Sequence, residues 1–287
     1  MKITEILNRE QLQISFEVFP PKNDTLKESV FTACEKIASL CPSFISVTYG
    51  AGGGTSQYTL ALAQKINSAF SVPSLAHLTC VSSSKATVHR QIEALKEAGI
   101  KNIMALRGDI PAEGCVNNDY KYAFQLIEEI KSFDNDFCIG GACYPEIHPE
   151  SNSQNEDIIH LKQKVGAGCD FLTTQMFFDN NLFYAFMYKA REKGVTVPII
   201  PGVMPITNAK QVDRAIKLSN SFMPHRFAAL VDKFGNNPMA MRQAGIAYAT
   251  DQIIDLYANG IKNVHVYTMN KPDIAKQIMA NLSDILG

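Results

Sequence analysis

Ile14-Ser15-Phe16-Glu17-Val18-Phe19-Pro20-Pro21 is a short apolar run that carries one carboxylate and stops at two prolines. Met104-Ala105-Leu106-Arg107-Gly108-Asp109 follows a related plan, with its acid placed just past a glycine. Both have the composition of buried strands bounded by turn residues. A carboxylate in such a place is costly unless it is paired, protonated or put to use. The ends of parallel strands in α/β proteins are also where active sites are assembled. Glu17 and Asp109 are therefore the first candidate site residues.

Working outward from these two runs, eight segments read as strands: residues 11–19, 43–49, 73–79, 102–107, 137–144, 171–176, 197–203 and 263–267. The intervals between them have helical spacing, as in residues 88–98, where positions 88, 92, 94, 95 and 98 are apolar. Gly99 and Gly168 stand where left-handed caps would close two of these helices. Strand–helix alternation without a low-complexity linker predicts an α/β fold: one (β/α)8 TIM barrel occupying residues 1–287 as a single domain. A doubly wound open sheet is the rival architecture. The stretch 207–259 is long enough for extra helices before the eighth strand, with a break at Phe234-Gly235-Asn236-Asn237-Pro238. Gly50-Ala51-Gly52-Gly53-Gly54-Thr55 lacks the last glycine of a dinucleotide fingerprint and reads equally as a flexible turn.

Composition narrows the function classes. With 27 basic and 28 acidic residues, the net charge of −1 offers no field for nucleic acid or an anionic membrane. No apolar run approaches the roughly 18 residues of a membrane span. The N-terminal residues lack the apolar stretch of a signal peptide, so a cytoplasmic location is expected. The seven cysteines are scattered without metal-ligand spacing, which predicts reduced thiols and no metal centre.

In a barrel, the C-terminal strand ends converge on one mouth. Here they would bring Glu17, Thr48, Tyr49, His77, Thr79, Arg107, Asp109, Tyr144, His148, Thr174, Gln175 and Tyr267 together. Each has a plainer reading. His77 suits a hydrogen-bonded core histidine, Arg107 with Asp109 a structural ion pair, Tyr144-Pro145-Glu146 a rigid turn, and Gln175 a partner for loose backbone. Glu17 is hardest to dismiss. With Phe16, Val18 and Phe19 around it, an apolar collar is expected to raise its pKa and keep a proton available, as a general acid requires.

Eight motifs follow one another along the chain: Ser15-Phe16-Glu17-Val18-Phe19-Pro20-Pro21-Lys22, Ser46-Val47-Thr48-Tyr49-Gly50, His77-Leu78-Thr79-Cys80 and Leu106-Arg107-Gly108-Asp109, then Tyr144-Pro145-Glu146-Ile147-His148-Pro149, Thr174-Gln175-Met176-Phe177-Phe178-Asp179, Ile200-Pro201-Gly202-Val203-Met204-Pro205 and His265-Val266-Tyr267-Thr268-Met269-Asn270. In this order they resemble the flavin-dependent methylenetetrahydrofolate reductases over residues 12–284. The resemblance implies a bacterial, catalytic-domain-only member of one-carbon metabolism, serving methionine biosynthesis. It implies FAD held noncovalently, and ping-pong transfer of hydride from NADH or NADPH to 5,10-methylenetetrahydrofolate. By the same carry-over, Glu17 is the general acid that opens the folate ring, and Asp109 tunes the flavin and also meets the folate. The FAD site falls on Thr48, His77, Leu106, Arg107, Gly108, Asp109, Tyr122, Ala123, Ala142, Tyr144, His148, Asp157, His160 and Lys164. Gln175, Gln211 and Lys271 join Glu17 and Asp109 as folate contacts.

The chain departs from the family pattern in places. Ala215 stands where some bacterial members have a phenylalanine that stacks on nicotinamide, and Lys271 where relatives have an arginine. His160 and Cys169 replace an asparagine and an alanine near the FAD. The Ala215 departure carries a second hypothesis, the same flavin barrel reduced by a partner redox protein. A third is a pterin-binding barrel that passes a methyl group to a corrinoid. Homo-oligomers are common among barrels of this kind, and one is expected here.

Overall fold

Period-two alternation and helical spacing sort the chain into the expected alternating elements in the computed structural model, which describes residues 1–50, 56–110, 119–219 and 221–286. The strands are β1 (Gln13–Val18), β2 (Ile45–Val47), β3 (Ser74–Thr79), β4 (Asn102–Leu106), β5 (Cys138–Cys143), β6 (Phe171–Thr174), β7 (Ile199–Ile200), β8 (Gly202–Val203) and β9 (Asn263–Tyr267). The helices are α1 (Ile3–Leu7), α2 (Lys27–Ala38), α3 (Ser56–Ala69), α4 (Lys85–Glu97), α5 (Ala123–Phe133), α6 (Gln154–Gly166), α7 (Asn180–Glu192), α8 (Ala209–Ser219), α9 (His225–Phe234), α10 (Pro238–Ala258), α11 (Pro272–Asn281) and α12 (Ser283–Leu286).

Every strand pair is parallel, in the order β7-β6-β5-β4-β3-β2-β1-β9-β8. The strand expected at 197–203 is split at Pro201, so that β7 pairs with β6 and β8 with β9. Proline has no N–H to give a ladder. Its carbonyl still accepts from His265 N–H at 2.9 Å, which brings the two ends of the sheet together. The architecture is the expected TIM barrel, its seventh strand in two pieces, and the open-sheet rival falls away.

Alternation decides what faces the barrel interior. Ile14, Phe16 and Val18 point outward and share the helix-covered core with Ile37, Leu62 and Ala275. Ser15 and Glu17 point inward. The lower interior is filled by Phe44, Leu75, Met104, Phe171 and Ile200, and α1 closes that end with Ile3, Ile6 and Leu7. The Ile3 N–H donates to Asn102 Oδ1 at 2.9 Å, fixing the plug to the first residue of β4. Gly140 makes room for the Phe171 ring, because a Cβ there would sit 2.6 Å from it.

The glycine caps hold as read: Gly99 and Gly168 have φ of +72° and +108°. Residues 207–259 contain three helices, α8 to α10, and Asn237 caps α10 ahead of Pro238 at the break expected there. Among the described cysteines, Cys41 is exposed and Cys34, Cys80, Cys138, Cys143 and Cys169 are buried, all with free thiols. Cys115 and the glycine-rich positions 51–55 lie outside the described residues. No described helix is long and apolar enough to cross a membrane.

Candidate active site

The C-terminal strand ends form a mouth with two chemically different sides. On the first, β1, β2, β3 and β9 place Ser15, Glu17, Ser46, His77 and His265 in one buried layer. Ser46 Oγ donates to Glu17 Oε2 at 3.3 Å and lies 3.2 Å from His265 Nε2. His265 Nδ1 is 2.8 Å from Ser15 Oγ, which also reaches the Val264 carbonyl. Glu17 Oε2 is 3.6 Å from His77 Nε2 and 3.8 Å from His265 Nε2. The Glu17 backbone is held as well, its carbonyl accepting from Thr268 Oγ1 at 2.7 Å.

This layer corrects the expected apolar collar. Phe16 and Val18 turn away from the carboxylate, Phe19 is at the surface, and the neighbours of Glu17 are serines and histidines. Burial pushes the Glu17 carboxyl up, but the nearby His265 and His77 rings and the Ser46 hydrogen bond outweigh it. The pKa ends below the usual carboxylate value rather than above it. Burial is also the main influence on His77, lowering its pKa to about 4, so this ring is neutral near pH 7. His77 Nε2 has no hydrogen-bond partner among the described residues.

On the second side lie the loops after β4 and β5 and the helices α5 and α6. Gly108 turns the chain at φ +87°, where a Cβ would sit 2.8 Å from Val81, and delivers Asp109 to the exposed rim beside Leu106 and Arg107. Arg107 makes a two-pronged pair with Glu150, at 2.6 and 2.5 Å. That bond raises the guanidinium pKa, and Arg107 in turn lowers that of Glu150. Lys164 Nζ donates to the Ala142 carbonyl at 2.7 Å, and burial lowers its pKa. Asp157 is buried and accepts from His148 N–H at 3.1 Å, while the His148 ring stands edge-on to Tyr144 at 4.6 Å. Tyr122, ahead of Ala123 at the start of α5, is 52% exposed and stacks toward His160 at 6.3 Å.

Gln175 stands between the two sides, its Oε1 accepting from Met176 N–H at 3.0 Å. Nearby Glu146 accepts from Phe222 N–H, and its other oxygen is buried without a partner among the described residues. Thr48 is half-buried at the mouth. Two of the expected folate contacts lie on α8 and just ahead of α11. Gln211 turns back to accept from Thr207 N–H at 3.0 Å, an N-terminal brace of α8. Lys271 is exposed and occupies the N-cap position of α11, with no capping bond from its side chain. Ala215 is buried with Met176, Phe178, Ile206 and Phe227. Ser15, Ser46, His265, Glu146 and Glu150 were not singled out as site residues from the sequence.

The family model for methylenetetrahydrofolate reductase matches residues 2–283. The chain belongs to the methylenetetrahydrofolate reductase family. The Pectobacterium carotovorum protein named 5,10-methylenetetrahydrofolate reductase is 34% identical over 272 residues, covering 95% of this chain and 90% of that relative. A maize protein named methylenetetrahydrofolate reductase (NADH) 1 is 35% identical over 296 residues, but the match spans only 50% of the maize chain. Among solved structures, a Clostridium thermocellum protein described as binding two copies of 5-methyl-5,6,7,8-tetrahydrofolic acid superposes with a TM-score of 0.68. It covers 100% of this chain and 99% of its own at 16% identity, a likeness of fold. As a member of this family of reductases the protein is an oxidoreductase, and no group of three or more potential metal ligands occurs among its described residues.

Proposed function

We propose that the protein reduces 5,10-methylenetetrahydrofolate to 5-methyltetrahydrofolate at an FAD bound in the barrel mouth, with NADH or NADPH as reductant. The observation that carries this reading is the buried Glu17 carboxyl at the end of β1, already bonded to Ser46 and flanked by two histidines. The residues of the second side suit the cofactor. Arg107 and Lys164 supply cations for a diphosphate, Asp157 an acceptor for a ribose hydroxyl, and Tyr122 with His160 an open aromatic face. Bound FAD supplies hydride acceptance from the nicotinamide and hydride donation to the folate carbon.

The chain's own residues then handle the proton. Opening the five-membered folate ring breaks the bond from its bridging carbon to N10, and Glu17 delivers a proton to that nitrogen. The carboxylate left behind is received by Ser46 and His265, and Ser15 holds the far ring nitrogen of His265. A carboxylate already hydrogen-bonded before the reaction needs little rearrangement when its proton leaves. Its pKa is low in the open mouth, and ligands that displace the remaining water raise it toward the working pH. Asp109 on the rim acts beside the flavin and keeps negative charge from building on its reduced ring. Gln175 orients folate and nicotinamide in turn. The folate ligand of the Clostridium thermocellum protein supports a folate in this type of barrel.

Ala215 favours one further reading. Its burial against Phe178 and Phe227 leaves no ring at that position of α8 to stack on nicotinamide, in keeping with a flavin reduced by a partner redox protein. Anaerobic stopped-flow absorbance separates the two. Bleaching of the flavin by NADH or NADPH followed by reoxidation with methylenetetrahydrofolate is the expected result. Reoxidation by folate of chemically reduced flavin that neither nucleotide reduces assigns the reducing step to a protein donor, and no reoxidation by folate overturns the proposal. A homo-oligomer and a cytoplasmic setting remain part of the same proposal.

A further inference from the structure

The seventh strand position is where the sheet is interrupted, because Pro201 separates β7 from β8. Thr174, the last residue of β6, spans the interruption with both of its oxygens. Its Oγ1 accepts from Gly202 N–H at 2.8 Å, and its carbonyl accepts from the Tyr267 hydroxyl at 2.6 Å. Gly202 leaves the passage for that hydroxyl. A Cβ there would lie 2.4 Å from the Thr174 carbonyl and 2.6 Å from Tyr267 Oη. Tyr267 is also the register partner of Glu17 on the neighbouring strand. The Thr174 carbonyl belongs to the same peptide unit as the Gln175 N–H, which donates to the Cys143 carbonyl at 2.7 Å. One peptide plane is thus held from two sides, and one side leads through a single ring to Glu17.

We propose that Tyr267 is a positioning residue whose hydroxyl sets the spacing between Glu17 and Gln175 across the interrupted strand. The assignment rests on the reductase reading for its kinetic consequence. Folate reduction uses Glu17 and Gln175 together, whereas flavin reduction needs no proton from Glu17. Loss of the hydroxyl therefore acts selectively on the folate half-reaction. Burial holds the hydroxyl well above its ordinary pKa, helped by the charge of Glu17, so the donor keeps its proton across the working pH range.

The test compares FAD-loaded Tyr267→Phe with Thr174→Val, which loses the bond from Gly202 but keeps the carbonyl. In Tyr267→Phe the folate half-reaction is expected to slow about tenfold, the equivalent of one hydrogen bond, with flavin reduction by NADH within about twofold of wild type. Thr174→Val is expected to lose thermal stability and keep the ratio of the two rates. An unchanged folate step in Tyr267→Phe, an equal loss in both steps, or the same selective loss in Thr174→Val overturns the proposal. A crystal structure of Tyr267→Phe gives a readout that does not depend on the reaction. Displacement of Gln175 relative to Glu17 supports the spacing role, and an unmoved Gln175 overturns it, even where wild type itself fails to reduce folate.

Discussion

The two sides of the mouth solve opposite problems. Around Glu17 the polar groups are buried and bonded to one another through Ser15, Ser46 and His265, with His77 packed alongside. On the Arg107 side Asp157 is buried and Lys164 half-buried, but the strongest contact is an ion pair whose Glu150 member is 54% exposed. A buried, mutually bonded layer is stiff and suits a group that must present a proton at one point. A screened surface pair exchanges at little cost and suits a site that must admit a large anionic ligand. In the proposed reading, proton handling and most of the cofactor anchoring fall on separate strands of one barrel.

The largest effect on stability expected from this contrast comes from the buried side. The folded protein keeps His77 neutral down to about pH 4, while an unfolded chain takes up its proton near 6.5. Stability contributed by the neutral ring is therefore complete above about pH 6.5 and lost as the pH falls toward 4, by about 3 kcal/mol in all. Urea unfolding across that window should show the loss, and His77→Gln should flatten it. An equal slope in the variant would place the titrating group elsewhere.

The exposed side sharpens the comparison through ligand affinity. Arg107→Ala removes a charge-assisted contact and leaves Glu150 facing the diphosphate, so FAD binding should weaken by about 2 kcal/mol, some thirtyfold in Kd. Fluorescence titration of the flavin-free protein measures it. Glu150→Gln should have the smallest effect and the opposite sign. Releasing the Arg107 fork strengthens FAD binding by about 1 kcal/mol or less, and more salt narrows the difference. Weaker binding in Glu150→Gln would show that Glu150 orients the guanidinium instead of competing for it.

The sequence made the barrel legible because its signals are local. Apolar runs, helical spacing and the glycines at 99 and 168 each act within a few residues. The split at Pro201 was present in the sequence too, as a residue unable to donate in the middle of a strand. The site was legible only in part. Glu17, His77, Arg107 and Tyr144 could be read from strand ends, but the surroundings of Glu17 were misjudged from its chain neighbours. In a strand those neighbours point to the opposite face, and the residues that matter lie two positions away or on adjacent strands. The same alternation that turns Glu17 inward also turns Ser15, Ser46 and His265 inward. Glu150 meets Arg107 from 43 residues away, across a loop whose path no local pattern specifies. The bond from Thr207 N–H to Gln211, which braces the start of α8, likewise had no local signal.

The central claim is that Glu17 serves the folate step alone, and the most direct measurement is double-mixing stopped flow on FAD-loaded Glu17→Gln under anaerobic conditions. Flavin reduction by NADH should stay within about twofold of wild type, while reoxidation by methylenetetrahydrofolate slows by about a thousandfold, the scale of a lost general acid. Reoxidation at the wild-type rate, or equal loss in both steps, would contradict the assignment of the proton to Glu17.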